Sequence, residues 1–231
     1  MEHYAETDRP RMPLRPMPMR KPRRPEPLGD LRFRTLLGAD QWACLPPSVR
    51  HRFSKRLGDG RTIIYTGEIV ECRMSRAGWL LAQAARLIGG PLPTSRDVFV
   101  PTTVAVTEDE AMGGQFWTRV YGRRSGFPQV VHSSKRFAGP TGLEEYIGLG
   151  VGIALTIDVK NEVLHFRSDH YFLKLFGRRL RIPCGLLAGN LTVSHIDCDQ
   201  GWFAFVLDLA HPLFGTLIRQ TALFRERAAE E

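Results

Sequence analysis

The stretch GVGIALTIDVKNEVLHFRSDHYFL, residues 150–173, indicates the fold most clearly. Val151 and Ile153 begin an alternation of apolar with small or polar residues that continues to residue 159. A period of two is typical of a β-strand with one buried face. Lys160 and Asn161 interrupt the pattern, and a second extended run follows them. The two runs therefore predict a pair of adjacent antiparallel strands.

Seven further segments have a similar extended pattern. They cover residues 62–72, 98–107, 115–123, 129–137, 191–197, 202–209 and 216–224. About nine or ten strands without helices between them favour antiparallel neighbours, because parallel pairs need long crossover connections. A sheet of that size rarely stays flat. We therefore expect a mainly β fold of the α+β class, built as a strongly curved antiparallel sheet or an incomplete barrel.

A short helical segment is expected at the N-terminal side of these strands. Asp30 can cap a helix that passes through Leu37 and ends at Gly38. A further turn is expected over residues 47–53, where proline stands at the first position.

One longer helix is expected over residues 76–88, with Ser75 as its cap. Its apolar face is predicted to carry Leu80, Ala84, Leu87 and Ile88. We expect this helix to pack on the sheet and to cover one opening or the concave face. A lid or a membrane-facing helix is the alternative.

The first 29 residues differ in composition from the rest of the chain. They hold seven of the 16 prolines, and their basic residues outnumber their acidic residues by seven to four. Proline prevents regular helix and ladder formation, so we expect a disordered basic tail over residues 1–29 and a single mostly-β domain over residues 30–231. A solvated linker is the favoured role of the tail, and contact with an anionic membrane surface is the alternative.

The overall composition excludes several classes of protein. Hydrophobic residues make up 43% and charged residues 24% of 231 residues, so the chain is neither fibrous nor wholly disordered. The sequence has neither an apolar run of about 18 residues nor a secretory signal, and we expect a cytoplasmic protein, with a peripheral membrane location as the alternative. The net charge is +8, of which the tail carries +3. Nucleic acid is an improbable partner, because no basic helix is concentrated in the folded part.

Cofactor and metal motifs are not found in the sequence. The cysteines are widely spaced, so we expect free, buried thiols without a zinc site. No glycine-rich nucleotide loop follows a strand and opens a helix, and no cofactor is expected. His195, Asp197 and Asp199 share one strand face, and a solvated strand end is favoured there over a metal site.

A polar stripe with aromatic residues is the most unusual feature. On a strand over residues 132–137, Arg136 shares a face with His132, and an adjacent strand alternates Trp117, Arg119 and Tyr121. Guanidinium groups suit carboxylate or phosphate oxygens, which points to capture of an acidic headgroup. The alternative is an exposed face with weak ion pairs to Glu144 and Glu145. The candidate ligand-binding residues are Trp117, Arg119, Tyr121, Arg136 and Trp202.

Four residues are candidates for acid–base chemistry. They are Asp208, His211, Asp169 and His132. Asp208 stands between two leucines, and a carboxylate there must be paired, protonated or facing a cavity unless that strand face is wet. Serine catalysis is not expected, because side chains two residues apart on one strand face lie roughly 7 Å apart.

Five segments together resemble an uncharacterised bacterial family of domains of unknown function, of the DUF4166 type. They are LPPSVR at 45–50, GGPLP at 89–93, WTR at 117–119, SKRF at 134–137 and HPLFG at 211–215. The resemblance covers about residues 31–226. It implies a bacterial, mostly β protein without assigned catalytic residues. Some members are joined to a dehydrogenase-like domain, which suggests a dehydrogenase-like protein partner.

Three functions follow as hypotheses. The favoured one is non-enzymatic binding of a hydrophobic, acidic, lipid-like small molecule inside the curved sheet. The second is an acid–base enzyme, an isomerase or hydrolase, that acts on the product of a partner enzyme. The third is an accessory module that docks on a dehydrogenase-like partner.

Overall fold

The computed structural model describes residues 30–55 and 62–225. The tail predicted over residues 1–29 lies outside the described residues. The described helices are α1 (Arg32–Ala43), α2 (Pro47–Phe53) and α3 (Arg76–Ala85), with short 3-10 helices at Arg86–Ile88 and Cys184–Leu186. The described strands are β1 (Thr62–Met74), β2 (Val100–Asp109), β3 (Gly114–Tyr121), β4 (Gln129–Arg136), β5 (Leu143–Gly148), β6 (Val151–Lys160), β7 (Val163–Leu175), β8 (Arg178–Pro183), β9 (Asn190–Asp197), β10 (Trp202–His211) and β11 (Gly215–Arg225).

Ten of these strands close into an antiparallel barrel. The order is β6-β5-β4-β3-β2-β1-β11-β10-β9-β7, and β7 pairs again with β6. The first part of β7 pairs with β9, while its second part pairs with β8, which lies outside the ring. The prediction of a mainly β, strongly curved antiparallel fold is confirmed. The barrel is complete, and not incomplete as one form of the prediction had it, because its two edge strands, β6 and β7, pair with each other.

All nine predicted strands are present, and two strands were not predicted. These are β5, with the sequence LEEYIG, and β8, with the sequence RRLRIP. The sequence of β5 does not alternate apolar with polar residues, although β5 is needed to connect β4 with β6 in the ring. The alternation in β8 covers only residues 179–182.

The N-terminal helices differ in part from the prediction. The helix does not end at Gly38; this glycine forms a kink with φ 77° and ψ 165°, and α1 resumes as far as Ala43. The Asp30 carboxylate accepts a hydrogen bond of 3.0 Å from the backbone N–H of Arg32, although Leu31 is the capping residue. The prediction of α2 over residues 47–53 is confirmed.

The third helix is capped as predicted but presents a different face to the barrel. The Ser75 hydroxyl accepts a hydrogen bond of 3.1 Å from the backbone N–H of Gly78. Leu80 and Leu87 were predicted on the packed face and are exposed instead. Leu81 and Ala85 take the inward positions, together with the predicted Ala84 and Ile88.

The strand directions define two ends of the barrel. The plug end carries α1, α2 and the turns at residues 110–113, 137–142, 161–162 and 198–201. There the Arg32 guanidinium donates to the carbonyl of Gly113 at 2.8 Å, and the Gln41 side chain accepts from the backbone N–H of Val159 at 2.9 Å. The lid end carries α3 and the connections at residues 75–99, 122–128, 149–150, 176–189 and 212–214.

Aromatic side chains fill the interior near the plug end. Phe33 of α1 and Phe53 of α2 meet edge to face with ring centroids 5.1 Å apart. Phe53 also lies 5.9 Å from Phe166 of β7 and 5.2 Å from His195 of β9. The two N-terminal helices therefore seal this end, and the empty interior lies toward the lid end.

Two further features concern the protein's surroundings. Among the described helices, none combines the length and the apolar character needed to cross a bilayer.

All four cysteines are free, but the prediction of buried thiols is wrong for Cys44 and Cys198, which are exposed. Cys72 is half-buried and Cys184 is buried.

Candidate functional site: an apolar cavity with buried charges

A cavity of about 320 Å³ lies inside the barrel. Strand residues such as Leu155, Val193 and Leu207 form most of its wall, and α3 adds Leu81 and Ala85. Cavities lined by aliphatic side chains stay dry and accept apolar guests. Ligand pockets in proteins span roughly 300–1,000 Å³, so this cavity suits one small molecule.

The cavity approaches the surface at the lid end. Of the described residues that line it, only Ala84 and Leu187 are exposed. Ala84 belongs to α3, and Leu187 lies in the connection between β8 and β9. The cavity wall is therefore exposed to solvent at α3 and at this connection.

Four polar side chains form a connected cluster, and three of them, Arg119, Lys135 and Glu145, line the cavity. The Lys135 ammonium lies 2.8 Å from one carboxylate oxygen of Glu145, and the Arg119 guanidinium lies 3.3 Å from the other. The Ser133 hydroxyl donates to this second oxygen at 2.6 Å and accepts from Arg119 at 3.0 Å. With Lys135 as an ammonium, the cluster carries two positive charges and one negative charge.

The strand register places these residues side by side. Trp117 of β3 pairs with Ser133 of β4, and Lys135 of β4 pairs with Glu145 of β5. Because side chains two residues apart share a strand face, Trp117 and Arg119 face the same way as Ser133 and Lys135. The Lys135 ammonium also lies 4.9 Å from the centre of the Trp117 ring, within cation–π range.

The interior shifts the acid–base properties of these groups. Burial alone would raise the pKa of Glu145, but the neighbouring Lys135 and Arg119 charges outweigh it and lower this pKa to about 2. Burial lowers the pKa of Lys135, and the attraction of Glu145 opposes this shift. Burial raises the pKa of Tyr121, whose phenol therefore stays protonated and able to donate a hydrogen bond.

Three of the five predicted ligand-binding residues line the cavity, namely Trp117, Arg119 and Tyr121. The other two do not. Arg136 points to the opposite face of β4, where its guanidinium lies 4.1 Å from the centre of the Tyr146 ring. Trp202 begins β10 at the plug end and stacks with the Arg225 guanidinium at 5.5 Å.

Sequence reasoning missed Lys135 as a cavity residue and considered Glu145 only as a surface partner. Lys135 is 5% exposed, and its carboxylate partner is half-buried. The signal was the alternation itself, because Lys135 takes the same face as Ser133 while Arg136 takes the other. Choosing between the two faces required the register with β3.

The four predicted acid–base residues have separate environments. Asp208 forms a surface ion pair with Arg219 at 3.2 Å, and the His132 ring contacts the Thr118 hydroxyl at 3.0 Å. Asp169 lies 3.1 Å from the Arg181 guanidinium.

His211 is buried and accepts from the backbone N–H of Leu213 at 3.1 Å. Within the described residues, no hydrogen bond or ion pair joins any two of the four acid–base candidates, and none of them lines the cavity.

A second buried cluster lies at the plug end, where a solvated strand end was expected. That expectation is wrong for His195, which is 1% exposed and stacks on Phe203. The Arg52 guanidinium lies 3.1 Å from Asp197 and 3.5 Å from the His195 ring. Burial, with help from Arg52, lowers the pKa of His195 to about 3. Asp199 is exposed in the following turn, and the described residues contain no cluster of three metal-ligating side chains.

A family profile described as Domain of unknown function (DUF4166) matches residues 45–224, well over half of the chain. The matched range begins just before α2, ends within β11, and includes the charged cluster and every residue of the cavity wall. No curated protein and no solved structure matches the chain.

Proposed function

The chain belongs to this family of domains of unknown function, and we propose that it binds one hydrophobic, acidic, lipid-like molecule inside the barrel without transforming it. The apolar cavity of about 320 Å³ with a charged cluster in its wall carries the proposal. An aliphatic chain would displace little or no water from such a wall and would contact it along its length.

The charges in the wall favour an acidic headgroup. Arg119 and Lys135 share a single carboxylate, that of Glu145, so one positive charge has no buried counter-ion within the cluster. A buried charge is costly unless it is paired, and a ligand carboxylate would supply the pair. The Tyr121 phenol lies on the same strand face as Arg119 and can donate a further hydrogen bond.

The size of the cavity limits the ligand. Its volume lies at the lower end of the range for ligand pockets, roughly 300–1,000 Å³. We therefore expect a single medium-length acyl chain and not a two-chain phospholipid. Native mass spectrometry of the freshly purified protein should reveal such a molecule carried over from the cell.

A matched pair of arginine variants tests the headgroup site. Arg119→Gln should weaken decanoate binding about tenfold or more, because charge-assisted hydrogen bonds contribute about 1.5–3 kcal/mol. Arg136→Gln, on the outer face of the neighbouring strand, should leave decanoate binding unchanged. Both affinities can be measured by isothermal titration calorimetry, with decanol as the neutral control ligand.

Two results of that titration would overturn the proposal. The first is equal affinity for decanoate and decanol, which would mean that the cluster does not recognise the acid. The second is a larger loss of affinity for Arg136→Gln than for Arg119→Gln.

The two other hypotheses have less support. The acid–base enzyme needs at least two candidate groups in one pocket, and Asp208, His211, Asp169 and His132 have separate partners. Docking on a dehydrogenase-like partner rests on the resemblance alone. Binding without chemistry is therefore the function that the cavity supports best.

The proposal includes a location in the bacterial cytoplasm. Free thiols at all four cysteines, two of them exposed, fit a reducing compartment. A peripheral association with the membrane would bring the protein close to a source of acyl chains.

A further inference from the structure

Large apolar side chains are exposed at the lid end. They occupy the tips of four connections between strands, and one lies on the 3-10 turn after α3: Phe127, Leu149, Phe176, Leu213, Phe214 and Leu87. Phe127 is 91% exposed and Phe176 is 95% exposed. Single exposed apolar residues are common on protein surfaces, but a ring of them at one end of a barrel marks an interaction surface.

The opposite end lacks such a ring. Among the described turns of the plug end, one large apolar side chain, Met112, is exposed at a tip. The asymmetry follows from the antiparallel topology, since alternate connections lie at alternate ends. Exposed apolar tips are thus concentrated where the cavity approaches the surface.

Charge is divided between the two ends in the same way. The connections of the lid end with their flanking residues and β8, residues 75–99, 121–129, 148–151, 174–190 and 211–215, contain nine arginines and lysines and one acidic residue, Asp97. Two of these arginines, Arg179 and Arg181, pair with Glu144 of β5 and Asp169 of β7. The turns of the plug end, residues 108–114, 137–142, 160–163 and 197–202, contain six acidic residues and one lysine, Lys160, and the helices α1 and α2 at that end add four arginines and one aspartate. The lid end is therefore more apolar and more basic than the plug end.

We propose that the lid end docks on an anionic lipid bilayer. Phenylalanine and leucine tips would enter the headgroup region, and the arginines beside them would bind lipid phosphates. Apolar side chains at the tips of separate connections around a barrel rim fit an extended lipid surface better than a single groove on a protein. Docking would place the exposed residues of the cavity wall, Ala84 and Leu187, against the bilayer. This last consequence, ligand exchange with the membrane, rests on the proposed function; the docking itself does not.

Vesicle binding by the full chain tests the docking surface. The protein should sediment with vesicles of phosphatidylcholine and phosphatidylglycerol in equal parts, and much less with pure phosphatidylcholine. Raising the salt concentration should weaken the association, because exposed charges are screened.

Two pairs of variants separate this surface from the rest of the molecule. The double variant Phe127→Ser/Phe176→Ser should reduce binding to the anionic vesicles at least about tenfold, and Met112→Ser should leave it unchanged. Likewise Arg76→Glu/Arg178→Glu should reduce binding at least about tenfold, whereas Lys160→Glu should not reduce it.

Unchanged vesicle binding in both double variants would overturn the proposal. Any binding would then come from residues outside the lid end, including the basic residues 1–29. Failure of the wild-type chain to bind anionic vesicles would overturn it as well, whether or not the chain binds RNA or another protein. Decanoate titration without vesicles is independent of docking. Both double variants should retain wild-type decanoate affinity, so failure of the ligand site and failure of the docking surface give different results.

Discussion

At the scale of single residues, Glu145 holds the interior charges together. Glu145→Gln removes the only carboxylate of the cluster and leaves Lys135 and Arg119 facing each other in the cavity wall. Loss of one partner from a buried ion pair costs about 3–5 kcal/mol, so the free energy of unfolding in urea should fall by about that amount. Asp208→Asn breaks the exposed pair with Arg219 and should cost less than about 1 kcal/mol. Equal costs for the two variants would show that the Glu145 cluster is effectively solvated.

Also at this scale, His195 should make the stability of the protein depend on pH. Its pKa is about 3 in the folded chain, against an ordinary value of 6.5, because burial disfavours the imidazolium. The unfolded chain takes up this proton below about pH 6.5 and the folded chain does not. The contribution of His195 is therefore fully present above pH 6.5 and is lost as the pH falls toward 3, by about 1.4 kcal/mol for each pH unit.

Replacing the ring tests this linkage. His195→Phe, which keeps an aromatic ring beside Phe53 and Phe203, should flatten the fall in unfolding free energy between pH 6.5 and pH 3. His132→Gln, at an exposed position, should retain the steeper fall of the wild type. A wild-type slope in His195→Phe would mean that other groups account for the pH dependence.

The choice between Lys135 and Arg136 shows where sequence reasoning stopped. Alternation correctly separated the two faces of β4, and Trp117, Arg119 and Tyr121 were correctly grouped on one face of β3. Which face of β4 belongs with that group depends on register, and a shift of one residue exchanges the faces. The sequence contains no turn signal at residues 122–128 strong enough to fix the register. The prediction names Arg136 because its guanidinium suits an acidic headgroup, and it does not consider Lys135.

At the scale of elements, the packing of α3 on β11 depends on a glycine. A Cβ on Gly78 would lie 2.1 Å from the backbone carbonyl oxygen of Leu217. Helix propensity alone predicts that Gly78→Ala gains up to about 1 kcal/mol. Close packing predicts the opposite, and we expect Gly78→Ala to lose about 1–3 kcal/mol in thermal or urea unfolding, because the helix must move away from the strand. A gain in stability would contradict the close approach.

The predictability of each element follows from what it buries. β6 and β7 have one apolar face and were predicted with bounds close to those observed. β5 carries two successive glutamates, of which Glu145 faces the cavity and Glu144 lies on the other strand face and pairs with Arg179, so β5 shows no period of two. β8 is almost wholly exposed, and its alternation covers only residues 179–182. The face of α3 was misassigned because leucines normally indicate the buried face of a helix. Here Leu80 and Leu87 face outward at the lid end.

At the scale of the whole molecule, closure of the sheet creates the proposed ligand site. Ten strands surround the interior, aromatic residues of α1 and α2 fill the plug end, and α3 covers the other end. Nine of the eleven described strands and their antiparallel pairing followed from the sequence, but β5 and β8 did not. Closure depends on the pairing of β7 with both β6 and β9, which no local pattern specifies.

Calorimetric titration of decanoate into the wild type and into Leu207→Phe tests the central claim most directly. Leu207 lines the cavity, and a larger ring there should occupy the space of the ligand. We predict one decanoate per wild-type chain, and at least about tenfold weaker binding to Leu207→Phe with a free energy of unfolding no lower than that of the wild type. Undiminished decanoate binding by a folded Leu207→Phe protein would place the ligand elsewhere and contradict the account.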